Sequence, residues 1–296
     1  MLNECRTSPD DTLISGRALA RSAAPAQTSR MTLSQLQKAE LFNALHVPGE
    51  PLIVTNVWDA ITAKVVADAP GVKALATASH SISNVRGLED GEGLTLDEAI
   101  IAARIIAGAV DLPVSADFEK GYAPDAAGIT RNVRRLIEES GVVGINIEDS
   151  VGAPKAPQFD IDTAAARVAA ARAGADQSGI PLVINARVDT LAGGGDWNEA
   201  VARANAYLGA GADVIFFLGL GDEDKVALAI EQVHGRISVI GHPGAVPLTR
   251  LAELGVSRVS FGPGTLGLTL AALQGAATNL TALGDYPAEL GFPFSL

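Results

Sequence analysis

The chain has 296 residues, 48% of them hydrophobic and 4% aromatic, and a formal net charge of −12 at pH 7. That length accommodates one large domain or two, and a composition rich in Ala, Val, Leu and Gly suits a globular α/β protein with a sizeable core. No Lys/Arg block alternates with aromatics, which disfavours a nucleic-acid or anionic-membrane partner, and a single cysteine, Cys5, excludes internal disulfides and thiolate zinc sites.

Residues 1–30 are rich in Ser, Ala, Arg and Pro without a hydrophobic period and read as a flexible extension, with Met31 an alternative start. From Thr32, TLSQLQKAELFNALH places Leu33, Leu36, Leu41 and Leu45 near helical spacing, which predicts an amphipathic helix closing one end of a core. Short β-rich runs then recur at 52–56, 74–78, 112–118, 142–147, 182–186, 214–218, 237–240 and 258–261. Between them lie helix-like segments at 60–69, 96–109, 125–140, 161–175, 197–210, 222–234 and 248–254, and a final apolar helix is predicted over 266–283. Strands alternating with helices at about 30 residues per unit predict a (β/α)8 TIM barrel over 31–296 rather than a doubly wound sheet. Two α/β lobes are the alternative, but no Pro/Ser-rich linker divides the middle. No apolar run reaches the roughly 18 residues of a membrane span, so the expectation is a cytoplasmic protein.

Barrel chemistry sits where strands end and βα loops begin. The most informative such point is LPVSADFEKGY, residues 112–122, where an apolar run ends in Asp117 and Glu119. Residues two apart on a strand share a side, so both carboxylates are expected to face one pocket. The next strands end in Asn146, Glu148 and Asp149, and in Asn185, Arg187 and Asp189. So much like charge needs a cation, either a metal or a shared proton. Magnesium fits, since it takes a few carboxylate oxygens, keeps waters and leaves places for an anionic ligand. Arg187 suits a carboxylate or phosphonate, which its planar fork grips with two hydrogen bonds. Asp59 and Asp189 also have a reading as helix caps, and Glu148 with Arg187 as a simple ion pair. His80 reads equally as a general base or a structural residue, and His242 as structural. No G-x-G-x-x-G follows a strand, so a dinucleotide site is not supported.

The Asp117-x-Glu119-x-Gly121-Tyr122 turn, Glu148-Asp149, and Ala186-Arg187-x-Asp189 together resemble the isocitrate lyase and phosphoenolpyruvate mutase superfamily. Asn56-Val57-Trp58-Asp59-Ala60 is similar to the family's opening strand, and Gly87-Leu88-Glu89-Asp90 to its loop after strand two, which carries a metal-side aspartate. The resemblance runs from Leu41 to Leu283. It implies a Mg2+-dependent barrel, with Mn2+ as a substitute, acting on small 2-oxo or 2-hydroxy acids through an enolate-like intermediate. It places Asp90, Asp117, Glu119 and Glu148 around the metal, some through waters. Trp58, Asp59, Thr77, Ala78, Ser79 and Arg187 are then expected at the substrate, and Arg187, Glu148 and the loop residue Lys155 in catalysis. It also implies a homodimer or homotetramer in which the last helix is exchanged between subunits.

The departures bear on the reaction. The loop after strand four, residues 151–158, has no cysteine, where the lyase branches carry one for proton transfer. Lys155 is kept as in the mutase and phosphonopyruvate-hydrolase branches, but Ala156 and Pro157 follow it. Glu119 replaces the more usual aspartate, and Ala123 a common glycine. The expectation is a lyase or decarboxylase cutting a C–C bond in a small 2-oxo or 2-hydroxy dicarboxylate. C–P bond chemistry on phosphonopyruvate or phosphoenolpyruvate, and a non-catalytic 2-oxo acid binder, are the alternatives.

Overall fold

A computed structural model describes residues 32–152, 157–288 and 291; the predicted extension over 1–30 and Lys155 lie outside the described residues. Eight parallel strands close into a barrel in chain order: β1 (Leu52–Val57), β2 (Leu75–Thr77), β3 (Val114–Asp117), β4 (Gly144–Glu148), β5 (Val183–Val188), β6 (Val214–Phe217), β7 (Arg236–Ile240) and β8 (Arg258–Ser260). Closure is by β8 against β1, with Leu52 opposite Arg258 and Val54 opposite Ser260. This is the (β/α)8 barrel that the alternation predicts. Its strands read as near-continuous apolar runs because helices cover the outside while side chains fill the inside.

The surrounding helices are α2 (Ala60–Ala67), α3 (Ser79–Asn84), α4 (Leu96–Gly108), α5 (Ala126–Ser140), α6 (Ile161–Ser178), α7 (Trp197–Gly209), α8 (Glu223–Gln232), α9 (Leu248–Leu254) and α10 (Gly264–Thr281). Several start on side-chain caps: Asp59, Thr95, Asp125, Asp160, Asp196 and Asp222 each accept from a backbone N–H in the first turn. Each such cap is worth about 1 kcal/mol and fixes where a βα loop ends. The short α3 is not predicted from sequence. Its residues, SHSISN, are serine-rich, and serine favours caps and turns over helix interiors; tertiary packing overrides that preference.

Helix α1 (Gln35–Ala44) closes the N-terminal end of the barrel, but of the leucines that its periodicity singles out only Leu45, just past its end, packs against that core. Leu33, Leu36 and Leu41 are exposed, while Ala39 and Phe42 are buried with Leu52, Val54, Ala76, Val183 and Val214. The inward face runs through Gln35, Ala39, Phe42 and His46. Gln35 donates to the carbonyls of Ile137 and Val142, and His46 Nδ1 meets the Phe42 carbonyl at 2.7 Å. A polar residue at each end of the inward face hides it from a reading based on leucine spacing. Phe42 lies so close to β4 that a Cβ on Gly144 would fall 2.5 Å from its ring. Glycine is what lets α1 seat there.

Helix α10 packs against the barrel at its start, where the Thr265 hydroxyl donates to the Asn56 carbonyl and Leu266 is buried. Beyond that point its apolar side chains stand in solvent: Leu268 is 73% exposed and Leu273 65%. Among the described residues no helix is long and apolar enough to cross a membrane.

Candidate active site

The end of β3 is held by the end of β2. Asp117 donates its N–H to the Thr77 hydroxyl (2.9 Å), and its Oδ2 accepts from both the N–H (3.0 Å) and the hydroxyl (2.9 Å) of Ser79. The unpredicted α3 makes this possible, because its first residue presents both donors at once. Asp117 Oδ1 is buried and has no hydrogen-bond partner among the described residues, and the same holds for Asp90 Oδ1 in the loop after α3. Burial raises the Asp117 pKa above the usual carboxylate range, the positive charge of Arg187 and the Ser79 donors lower it, and the nearby Asp90 raises it further. His80 stands with Nδ1 3.7 Å from Asp90 Oδ2.

Glu119 does not follow the two-residue alternation expected of it. The strand ends at Asp117, and Glu119 adopts φ +47°. Tyr122 (φ +53°) and Glu92 (φ +64°) share this left-handed region, which is costly for residues with a Cβ. A cross-loop clasp holds them there. The Tyr122 hydroxyl donates to Glu119 Oε1 (2.7 Å), the Glu92 N–H donates to Glu119 Oε2, and the Tyr122 N–H donates to Glu92 Oε1 (2.8 Å). Burial, opposed by the Tyr122 hydrogen bond and assisted by Asp117, pushes the Glu119 pKa to about 7. The clasp fastens the loop after β2, which carries Asp90, to the loop after β3.

Across the mouth, β4 and β5 run in register with Glu148 opposite Arg187. Arg187 Nη1 is 2.6 Å from Glu148 Oε2, while Nε and Nη2 donate to the two oxygens of Asp189 at 2.6 and 2.7 Å. Burial opposes the Arg187 charge, but Glu148 and Asp189 outweigh it and move its pKa up. Burial raises the Glu148 pKa well above normal, Arg187 pulls it back, and Asp117 and Asp189 add to the rise. Asp189 is not a helix cap, a place taken by Asp196; it also accepts from the Ser150 hydroxyl at 2.6 Å. Behind it lies a network that sequence reading missed. Asp149 Oδ1 accepts the Asp189 N–H (3.0 Å), and Asp149 Oδ2 accepts from the Tyr207 hydroxyl (2.7 Å). Arg203 spans Glu199, the Phe159 carbonyl and Tyr207. Tyr207 and Arg203 lie on α7, and no local motif ties them to Asp149 58 and 54 residues away.

The predicted site residues therefore divide. Asp90, Asp117, Glu119, Glu148 and Arg187 gather at one barrel mouth. Thr77 and Ser79 are there too, with their hydroxyls engaged on Asp117. Ala78 is buried at the start of α3, and Trp58 packs half-buried against the core. Asp59 Oδ1 caps α2, accepting from the N–H and hydroxyl of Thr62. His242 Nδ1 meets the adjacent Pro243 carbonyl in a local turn. Among the described residues no three His, Cys, Asp or Glu side chains form a ready-made metal cage. The donor set still fits a hard divalent cation of the magnesium kind. Such an ion needs one or two protein carboxylates and keeps waters elsewhere, and Asp90 Oδ1 and Asp117 Oδ1 are buried carboxylate oxygens that accept no hydrogen bond from any described residue.

A closed barrel that gathers five carboxylates around one arginine at the C-terminal ends of its strands defines a (β/α)8 enzyme. The chain matches the phosphoenolpyruvate phosphomutase family over residues 42–281 and belongs to it, and thus to the isocitrate lyase/phosphoenolpyruvate mutase superfamily of lyases and mutases. It is 34% identical over 242 residues to an uncharacterized protein of Mycobacterium tuberculosis (strain ATCC 25618 / H37Rv), covering 80% of this chain and 88% of that one. It is 28% identical over 232 residues to oxaloacetate decarboxylase 1 of Pseudomonas putida (strain W619), with 75% and 77% covered. The crystal structure of a 2,3-dimethylmalate lyase superposes with a TM-score of 0.75 at 26% identity, covering 90% of this chain and 93% of that one.

Proposed function

We propose that this enzyme is a Mg2+-dependent lyase or decarboxylase that cuts a C–C bond in a small 2-oxo or 2-hydroxy dicarboxylate through an enolate-like intermediate. The observation that carries the proposal is the pair of unbonded buried oxygens, Asp90 Oδ1 and Asp117 Oδ1, in the same mouth as a fixed guanidinium, Arg187. Relatives that cut such bonds, the oxaloacetate decarboxylase and the dimethylmalate lyase, support it.

Asp90 and Asp117 would hold the metal directly, with Glu119 and Glu148 reached through water because their oxygens already accept from Tyr122 and Glu92 or pair with Arg187. When bound, a divalent cation stabilises negative charge that develops on a carbonyl oxygen. Arg187 has five N–H groups, three of them engaged by Glu148 and Asp189. The other two meet no acceptor among the described residues and would grip a substrate carboxylate, and the double Asp189 contact keeps the fork from swinging. In decarboxylation of a 2-oxo dicarboxylate, the bond from C3 to the distal carboxylate breaks. Its electron pair moves to the C2 oxygen as CO2 departs, and water returns a proton to C3. That step needs neither a cysteine nor a phosphoryl acceptor, in keeping with the loop over 151–158. Lys155 is proposed as a catalytic residue supplied by that segment of the sequence.

The apolar side chains of α10 are proposed to be covered by a second subunit, giving a homodimer or homotetramer, in a cytoplasmic protein whose first 30 residues extend from a single barrel domain. The test is an NMR turnover screen with Mg2+ over oxaloacetate, 2-methylisocitrate, 2-methylmalate-type acids and phosphonopyruvate, with Asp117→Ala as control. Pyruvate or glyoxylate formed by the wild type alone supports the proposal. Turnover of phosphonopyruvate alone, or of nothing in the panel, overturns it.

A further inference from the structure

One buried charge in this barrel has no counterpart in the site as described. Arg258, on β8, has no exposed surface. Its Nη2 lies 3.5 Å from the Ser115 hydroxyl and 3.4 Å from Asn146 Oδ1, both neutral, and its Nε and Nη1 have no hydrogen-bond partner among the described residues. No carboxylate among the described residues lies within ion-pair distance of it. From below, its guanidinium carbon stands 5.8 Å from the centre of the Phe42 ring, which gives the charge an electron-rich face but not an anion. Burial lowers the Arg258 pKa to about 10, which leaves it protonated at neutral pH. The neighbouring His46 is correspondingly held neutral, by burial first and by Arg258 second.

A fully buried, unpaired cation is a liability to the fold, and an apolar side chain of similar volume is often as stable there or more so. Natural proteins depart from such rules mainly where function needs it. The position of Arg258 says what that function is. Its two neutral neighbours, Ser115 and Asn146, are on β3 and β4. Two residues further along the same strands, on the same inward side, come Asp117 and Glu148. The guanidinium thus lies one side-chain layer, about 7 Å, beneath the carboxylate cluster and on the axis of the barrel, shielded from solvent by α1.

We propose that Arg258 is a positioning residue of the active site: a buried counter-charge that favours binding of the anionic substrate from beneath, at the expense of metal affinity and fold stability. The inference rests on the lyase reading above. A fixed charge about 8–10 Å away, at an effective dielectric constant near 20, alters the binding of a singly charged group by on the order of tenfold and of a doubly charged one by on the order of a hundredfold. The same field repels a divalent cation, so removing Arg258 moves metal and substrate affinities in opposite directions. A merely structural role does not have that signature.

The experiment uses the full chain with Arg258→Met, which keeps the bulk, and Arg258→Lys, which keeps the charge. Mn2+ affinity is read by electron paramagnetic resonance, affinity for the dianion oxalate by calorimetry with and without Mn2+, and stability by urea denaturation. The expected result for Arg258→Met is Mn2+ bound on the order of a hundredfold more tightly, oxalate on the order of a hundredfold more weakly in both conditions, since each carries two charges, and a urea midpoint equal to or above wild type. Arg258→Lys is expected to keep both affinities within about threefold of wild type. Unchanged affinities in Arg258→Met overturn the inference. So does joint weakening of both ligands with a lowered midpoint, or failure of Arg258→Met to fold, since either makes the arginine part of the scaffold. A wild type that binds no Mn2+ overturns the metal reading instead, and metal-free oxalate binding then decides for or against Arg258.

Discussion

Replacing Asp189 by asparagine tests the idea that Arg187 is held rather than merely present. Asp189 is 2% exposed and accepts two charge-assisted hydrogen bonds from Arg187, at 2.6 and 2.7 Å, and a third from Ser150. The Asp189→Asn side chain keeps the volume and one acceptor but turns an NH2 toward a guanidinium that is itself only a donor. Breaking one side of a buried ion pair costs roughly 3–5 kcal/mol when the other charge is left alone. Here Glu148 still faces Arg187 at 2.6 Å, so about 2–3 kcal/mol is expected. For a protein of this size that is a fall in Tm of about 3–5 °C. Differential scanning calorimetry and urea denaturation read it, and kcat/KM should drop at the same time because the fork is freed. The decisive control is the double variant with Arg187→Met. Removing the second charge relieves the first lesion, so the double variant should lose at least about 1 kcal/mol less than the sum of the single losses. Additive losses, or a single-variant Tm within about 1 °C of wild type, would refute this account of the site.

Three further predictions follow from separate parts of the molecule. His46 has a folded pKa of about 3, below its unfolded value of 6.5, so the unfolded state takes up the proton first as pH falls. Its burial should cost about 2 kcal/mol of stability between pH 7 and pH 5, and more toward pH 3, a component that His46→Gln removes from the urea-midpoint profile. Ser79→Ala deletes one of the two donors to Asp117 Oδ2 while keeping the backbone one; by loosening that carboxylate it should weaken Mn2+ binding by about tenfold with little change in Tm. Leu268→Asp/Leu273→Asp puts two charges on the exposed apolar run of α10, and should shift a dimer or tetramer to monomer in analytical ultracentrifugation. An unchanged mass would show that α10 is not covered by a second subunit.

Residue type and spacing were enough to find the barrel and most of its mouth. The eight strands announce themselves because a parallel barrel buries both faces of each, and the acids of β3, β4 and β5 follow directly on those apolar runs. Asp117, Glu148 and Arg187 could be placed together because barrel topology alone sends all strand ends to one rim. Asp59 shows the limit of that reasoning. Its position after β1 fits a ligand or a cap equally well, and the Thr62 hydrogen bonds reveal a cap.

What the tertiary structure decided is how those groups are occupied. The clasp among Glu119, Tyr122 and Glu92 depends on left-handed backbone in two loops, which no side-chain period encodes. The support of Asp189 by Asp149 and Tyr207 joins residues up to 58 positions apart that meet only when α7 packs behind β4 and β5. Arg258 reads in sequence as an ordinary charge at a strand start, yet closure of β8 onto β1 turns it into the barrel lumen. Local pattern fixes which strand a residue is on and which way it points, because those follow from backbone geometry one residue at a time. Which charges end up paired, clasped or alone depends on distances across the barrel, and these exist only after the chain has closed on itself.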